Sequence, residues 1–338
     1  MPKLRVASWD LVLIVALIAV TIVGALTVDG VSSPRFWRFV TLEAIPILLI
    51  ALPLTLVIIT GEIDLSVASV VGFTCVAIGQ LWLWGVSSLP LLIAIAMVLG
   101  GLLGAVNGLF VTRFGLPSLA VTIGTLALYR GLGYVVLGDR AVANYPPAWT
   151  TGIIRPIPGT TIPWFILVVT VLAVGFGLVL YATPIGRGLY AMGNNAEAAR
   201  YAGIAVNRTK FWLFVATGVM SALAGVFWTL RFASARADNA EGLELAVVAA
   251  VLLGGVSIFG GRGGLIGAIV AVALLGTLRN ALQLANVPAN TLTIVTGTLL
   301  IASVVGPNVV GLVRERLRRR RATNAPDTPT TAHLSAAN

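Results

Sequence analysis

Long apolar runs of about 20 residues, separated by short polar segments, occupy most of this chain. A helix that crosses the hydrocarbon core of a membrane needs about 20 consecutive, mainly apolar residues. The pattern therefore predicts an all-α, polytopic membrane protein with about ten transmembrane helices. The predicted spans are 10–29, 40–60, 65–84, 89–112, 117–138, 162–182, 211–230, 243–259, 265–285 and 291–313.

Composition and charge agree with a membrane protein. Of the 338 residues, 58% are hydrophobic and 10% are charged, whereas soluble domains carry about 25% charged residues. The formal net charge is +10, but the basic residues lie at the chain ends and in loops. If the N-terminus is cytoplasmic and ten spans alternate, 14 Lys and Arg residues are cytoplasmic, 6 are outside and 2 lie within spans. This bias predicts that both termini are cytoplasmic.

The stretch TGEIDLSVASVVGF at 60–73 places two acids, Glu62 and Asp64, between two long apolar runs. A charge in mid-membrane costs roughly 2.5–3.5 kcal/mol on the most lenient scale, so such residues persist beside water, a partner or a helix end. One interpretation is a short inner turn in which Asp64 and Ser66 cap the next helix. The other is a broken helix beside the translocation path, with Gly61 as a hinge.

Three polar residues inside predicted spans, Asn107, Thr122 and Asn280, complete the set of candidates. They either line a pathway or make hydrogen bonds between helices. The residues alone leave both alternatives open. The helix-break and pathway candidates are Gly61, Glu62, Asp64, Ser66, Asn107, Thr122 and Asn280.

Enzymatic chemistry finds no support in the sequence. The only histidine, His333, lies in a polar tail, and the only cysteine, Cys75, lies in an apolar run. Triads and zinc sites are therefore excluded. Neither Lys3 nor Lys210 belongs to a phosphate-binding G-x-x-x-x-G-K-[ST] motif. We expect no catalytic residue, no metal site and no cofactor, so any energy comes from an ion gradient or from another polypeptide.

The inner loop 183–210 is the most specific feature of the chain. Its centre reads EAARYAG, from Glu197 to Gly203, and predicts a short helix that ends at a glycine. Such a helix is either an ordinary amphipathic surface helix or a compact knob for docking a partner.

A faint internal repeat also runs through the sequence. DLSVASVVG, from Asp64, is similar to ELAVVAAVLLG, from Glu244, and GGLLGA is echoed later by GGLIGA. Under the predicted topology the two copies cross the membrane in opposite directions, an arrangement that many transporters use. The sequence thus predicts an inverted repeat of about 40–138 and 211–313.

Four segments in order resemble the permease subunits of bacterial ATP-driven (ABC) sugar importers, in the group of ribose, rhamnose and autoinducer-2 permeases. The segments are GEIDLSVASVVG, GLPSLAVTIGTLALYRGLGYVV, GNNAEAARYAGI and VAAVLLGGVSIFGGRGGLIGAIVAVALLGTLRNAL. The resemblance covers about residues 40–313. It implies an inner-membrane permease that pairs with a second permease subunit, a cytoplasmic ABC ATPase and a periplasmic or lipid-anchored solute-binding protein. ATP and magnesium would then bind to the ATPase.

The resemblance also implies which residues contact the ATPase, because EAARYAG is similar to the family's coupling helix. The implied coupling residues are Asn194, Asn195, Glu197, Ala198, Ala199 and Gly203. This chain departs from the family at two points. Glu62 stands where the first motif usually has a second glycine, and the Ile-x-Leu-Pro that ends the wider coupling motif is absent after Gly203.

Two other functions remain open at this stage. One is branched-chain amino-acid import by an ABC permease of similar architecture. The other is ion-coupled secondary transport, with Glu43, Glu62 or Asp64 carrying a proton or sodium ion. The long inner loop favours the ATP-driven class, because an ion-coupled carrier needs no docking helix. The predicted organisation is one permease domain, 1–321, followed by a disordered cytoplasmic tail, 322–338.

Overall fold

The computed structural model describes residues 8–288 and, beyond them, residues 291, 294, 297, 298 and 301. These residues form twelve α-helices and no β-strand. The helices are α1 (Ser8–Thr27), α2 (Pro34–Ile59), α3 (Val67–Leu83), α4 (Leu89–Thr112), α5 (Ser118–Leu137), α6 (Pro147–Ile153), α7 (Phe165–Ala182), α8 (Pro184–Asn194), α9 (Ala196–Tyr201), α10 (Val206–Phe232), α11 (Leu243–Leu253) and α12 (Leu265–Leu284).

Seven helices of the described part of the chain are long and apolar enough to cross a membrane, namely α1, α2, α4, α5, α7, α10 and α12. Two shorter apolar helices, α3 and α11, complete the bundle. These nine helices follow the first nine predicted spans in order, which confirms an all-α polytopic membrane protein. Most of the tenth predicted span, 291–313, and the whole predicted tail, 322–338, lie outside the described residues.

The centre of the bundle is formed by α2 and α10. In an apolar stretch of 18 residues within each helix, 83% of the residues are buried in α2 and 72% in α10, against 11% in α1 and 17% in α7. A helix that is apolar on every side belongs in such a centre. Both Pro46 and Pro53 lie inside α2, where neighbouring helices can compensate for the backbone hydrogen bonds that proline removes.

Small residues bring α10 close to α4. A Cβ on Gly104 would lie 2.3 Å from the carbonyl oxygen of Phe214, and a Cβ on Gly218 would lie 2.1 Å from that of Gly100. Neither position can hold a larger residue without moving a helix. Glycines therefore set the spacing of this pair, as they do in many membrane helix pairs.

The order of the helices repeats. Helix α11 begins 176 residues after α3 (Leu243 against Val67), and α12 begins 176 residues after α4 (Leu265 against Leu89). The two copies run in opposite directions, because α3 begins and α11 ends at the same end of the bundle. The motif pairs that suggested the repeat are not equivalent, however. Glu244 lies in the first turn of α11, whereas Asp64 precedes α3.

Candidate functional site

The chain between α2 and α3, residues 60–66, is not helical, and we call it the first break. Its second residue is Gly61, whose φ of 81° lies in the left-handed region that glycine favours. Within it Asp64 is 2% exposed. Its Oδ1 accepts hydrogen bonds from the backbone N of Ser66 at 3.0 Å and from the Ser66 hydroxyl at 2.6 Å. Aspartate commonly bonds the backbone two residues on in this way, so Asp64 shapes the entry into α3.

Side chains from α4 and α5 hold the first break in place. The Asn107 Nδ2 donates to the Ser66 hydroxyl at 2.8 Å. Both backbone polar groups of Ile63 are hydrogen-bonded. Its N donates to the Ser118 hydroxyl at 3.1 Å, and its carbonyl accepts from the Thr122 hydroxyl at 3.3 Å. Both Asn107 and Thr122 therefore make hydrogen bonds between structural elements. The bonds of Ser118 and Thr122 satisfy the backbone of a non-helical segment inside a helix bundle.

The acid that departs from the family pattern, Glu62, has a specific partner. Its carboxylate forms an ion pair with the Lys210 ammonium, in the first turns of α10. The side chains are only 17% and 13% exposed, so loss of one partner would leave the other charge poorly solvated. The pair fastens the first break to α10.

A second break, residues 254–264, separates α11 from α12. Four of its glycines, at 255, 260, 261 and 263, have positive φ, which larger residues adopt with strain. The backbone N of Gly261 donates to the carbonyl of Ile59 at 2.9 Å. The end of α2 and the second break are thus joined directly. We call this end of the bundle the inner end.

Helix α8 lies against both breaks. A Cβ on Gly193 would be 1.9 Å from the oxygen of Ile59 and 2.3 Å from the nitrogen of Gly261. A Cβ on Gly260 would be 2.8 Å from the nitrogen of Gly61. Only glycine permits these approaches. We call the contact formed by these five residues the inner junction.

A hydrogen bond strengthens the contact of α8 with the second break. The Tyr190 hydroxyl donates to the carbonyl of Gly263 at 2.9 Å. Burial raises the pKa of Tyr190 to about 12. The hydroxyl therefore stays a neutral donor at physiological pH.

The short helix α9 follows α8 and carries the predicted coupling residues. Its N-cap is Asn195, whose Oδ1 accepts from the backbone N of Glu197 at 3.0 Å and of Ala198 at 2.9 Å. The helix is followed by Gly203, with a φ of 82°. Ala199 is buried against the bundle, at 3% exposure. The five other predicted coupling residues, Asn194, Asn195, Glu197, Ala198 and Gly203, are exposed, so the pair of helices presents a compact surface.

The remaining candidate, Asn280, lies apart from the inner junction. It is on α12, and its Nδ2 donates to the Glu43 carboxylate of α2 at 2.9 Å. The seven candidates therefore divide into six at or around the first break and one elsewhere. The sequence did not indicate the roles of Gly193, Tyr190 or Lys210, because each acts through a partner distant in the chain.

The comparisons with known proteins agree with this architecture. A sequence profile described as "Branched-chain amino acid transport system / permease component" matches residues 37–304. The chain is similar to proteins named "Autoinducer 2 import system permease protein LsrD" from Escherichia coli K12, Escherichia coli O157:H7 and Shigella flexneri. Each is 35% identical over 331 residues, covering 94% of this chain and 98% of the relative. No solved structure matches the chain. The chain therefore belongs to the family of branched-chain amino acid transport system permease components.

Proposed function

We propose that this chain is the transmembrane permease subunit of an ABC importer that moves a sugar or sugar-like solute, of ribose, rhamnose or autoinducer-2 type. The relatives that span almost the whole chain are permeases of autoinducer 2 import systems. Branched-chain amino-acid import is the second candidate, because the description of the matching family names it. The relatives' names favour the sugar-like solute.

The proposal of an ATP-driven mechanism rests on the inner junction. The exposed surface of α8 and α9 leads directly to the end of α2 and to the second break, through contacts that only glycine permits. A partner that moves this surface therefore moves both breaks. Packed interfaces of this kind change between discrete arrangements rather than deforming continuously.

The acids that an ion-coupled carrier would use have structural partners. Glu62 is paired with Lys210, Asp64 bonds Ser66, and Glu43 accepts from Asn280. A carrier acid has to exchange its ion in each cycle, which these contacts oppose. This argues for a mechanism powered by another subunit.

The proposal includes the following partners and location. The chain pairs with a second permease subunit, binds a cytoplasmic ABC ATPase through α8 and α9, and receives solute from a periplasmic or lipid-anchored binding protein. It lies in the bacterial inner membrane with both termini cytoplasmic. ATP and magnesium bind to the ATPase, and this chain binds no cofactor and catalyses no reaction.

Reconstitution into proteoliposomes tests the proposal. The chain is reconstituted with its ATPase and binding protein, and uptake of ribose, rhamnose, autoinducer-2 and leucine is measured with internal or external ATP. We expect uptake of a sugar-like solute only when ATP reaches the ATPase. Uptake by the chain alone, driven by a proton or sodium gradient, would instead establish a secondary carrier. Uptake of leucine alone would establish an amino-acid importer.

A further inference from the structure

A cavity of about 250 Å³ lies among α2, α10, α11 and α12, far from the inner junction. It is lined by Glu43, Trp228, Arg231 and Arg279 together with apolar side chains. Sixteen residues of α2 separate Glu43 from Ile59, which corresponds to about 24 Å along the helix. Arg231 is the penultimate residue of α10. The cavity therefore lies in the half of the bundle opposite the inner end.

Three charged side chains line this cavity: Glu43 and Arg231 are half-buried, and Arg279 is exposed. The Glu43 carboxylate accepts from Asn280 at 2.9 Å, and an Arg231 Nη donates to the carbonyl of Leu42 at 2.7 Å. The ion pairs of the described residues join other groups, Lys210 with Glu62 and Arg236 with Asp238. Of the three, Glu43 lies well inside a membrane helix, where a charge is costly and marks a candidate pathway or ligand site.

The lining has the chemistry of a site for a small polyhydroxylated solute. A carboxylate accepts hydrogen bonds from hydroxyl groups, and guanidinium groups donate to hydroxyl and ring oxygens. The indole of Trp228 offers a flat apolar surface with one polar edge, which suits the C–H face of a sugar ring. Ligand sites combine an apolar wall with a few such polar groups, and typical volumes begin at about 300 Å³. A cavity of 250 Å³ therefore suits a small solute.

We propose that this cavity is a solute site on the translocation path, which takes a neutral, sugar-like polyol after its release by the binding protein. This inference rests on the proposed function and adds the place where the permease itself contacts the solute. A sugar-like solute is favoured over a lipid headgroup, because the lining joins a carboxylate acceptor and the Trp228 indole to the two guanidinium groups, whereas a phosphate would use the guanidinium groups alone. Permeases of this class would then contribute to selectivity beyond the binding protein.

The test uses the complete importer in proteoliposomes of phosphatidylethanolamine and phosphatidylglycerol, with the solute that the wild type transports from the panel above. The variants are Glu43→Gln, which keeps the acceptor for Asn280, and Trp228→Leu. The matched control is Glu241→Gln, an exposed acid outside the cavity lining. We expect uptake at low solute concentration to fall at least ten-fold in both variants, with ATPase co-purification unchanged, and to be unchanged in the control.

A second measurement reports occupancy without transport. In a Cys75→Ser background, maleimide labelling of Ala246→Cys, a lining residue of α11, should slow at least three-fold when the transported sugar-like solute is added at high concentration and not when leucine is added. Wild-type uptake by both cavity variants, or labelling unaffected by that solute, would overturn the site while leaving ATP-driven import intact. Loss of phosphatidylglycerol adducts from Arg279→Gln in native mass spectrometry, with uptake unchanged, would establish a lipid site instead. Absence of any sugar uptake by the wild type would overturn the proposed function itself.

Discussion

Gly193 lies where α8 contacts the end of α2 and the second break, and its replacement by alanine tests whether that contact transmits motion. The added Cβ would lie 1.9 Å from the oxygen of Ile59, whereas ordinary contact begins at 3.4 Å. The obstructing atoms belong to backbone, so they cannot rotate away. Helix α8 must retreat by about 1.5 Å or strain its neighbours, and overpacking of this kind costs roughly 1–3 kcal/mol.

The substitution also has a smaller favourable effect. Alanine is better than glycine inside a helix by roughly 0.5–1 kcal/mol. The net cost of keeping α8 in its position is therefore at most about 2.5 kcal/mol, which is too little to unfold the bundle and favours displacement of α8. If α8 instead keeps its position, the added Cβ displaces the backbone of Ile59 or Gly261, which are joined by a hydrogen bond 2.9 Å long.

The assay compares uptake with ATP hydrolysis by the reconstituted importer. For Gly193→Ala we expect the complex to assemble and to hydrolyse ATP, with uptake per ATP reduced at least ten-fold. The matched control is Gly188→Ala in the same helix, where the Cβ would meet Ile204 at 3.6 Å, an ordinary contact. Wild-type coupling in Gly193→Ala would refute the transmission of motion through the inner junction.

Three further predictions follow from the breaks and the topology. Asp64→Ala should lose a contact worth about 1 kcal/mol and reduce uptake more than assembly, whereas Asp64→Asn should retain much of both; equal wild-type uptake by the two variants would show that the acid is incidental. Glu62→Gly should lower expression of folded protein because it leaves the Lys210 charge without its partner, and adding Lys210→Met should restore that expression. Expression of the double variant no higher than that of Glu62→Gly would contradict this prediction. Cysteines at Ser234 and Asn195 should be labelled from outside and inside respectively, and equal accessibility would contradict the topology.

The helices could be predicted from the sequence because each apolar run is long and ends at polar or glycine-rich residues. Most boundaries agree within a few residues, as for α4, which begins and ends where predicted. The largest differences are the start of α2, at Pro34 rather than 40, and the end of α11, at Leu253 rather than 259. The apolar run continues through the second break, so hydropathy cannot detect it. The glycines at 255 and 260, with φ of 85° and 81°, end the helix instead.

The inner junction could not be predicted, because its contacts join residues that are far apart in the chain. The partner of Glu62 is 148 residues away, and Gly193 meets Ile59 and Gly261 through backbone atoms that carry no sequence signal. The motif around Asp64 did indicate a helix break, because a buried acid beside glycine requires one. Its hydrogen bonds to α4 and α5 depend on helix packing, which one sequence does not reveal.

Gly203→Val is the most direct test of the claim that α8 and α9 pass the motion of the ATPase to the helix breaks. Gly203 has a φ of 82°, and no atom lies within 4 Å of a Cβ placed there, so only the backbone conformation is perturbed. A side chain in this conformation costs roughly 1–2 kcal/mol, whereas Gly203→Asn, the control, tolerates it better. Co-purification with the ATPase and ATP-driven uptake are measured together. We expect the valine variant to be folded and inserted in the membrane, to capture at least ten-fold less ATPase and to transport no solute. The asparagine variant should retain ATPase capture and transport. A valine variant that captures ATPase and transports solute like the wild type would contradict the claim.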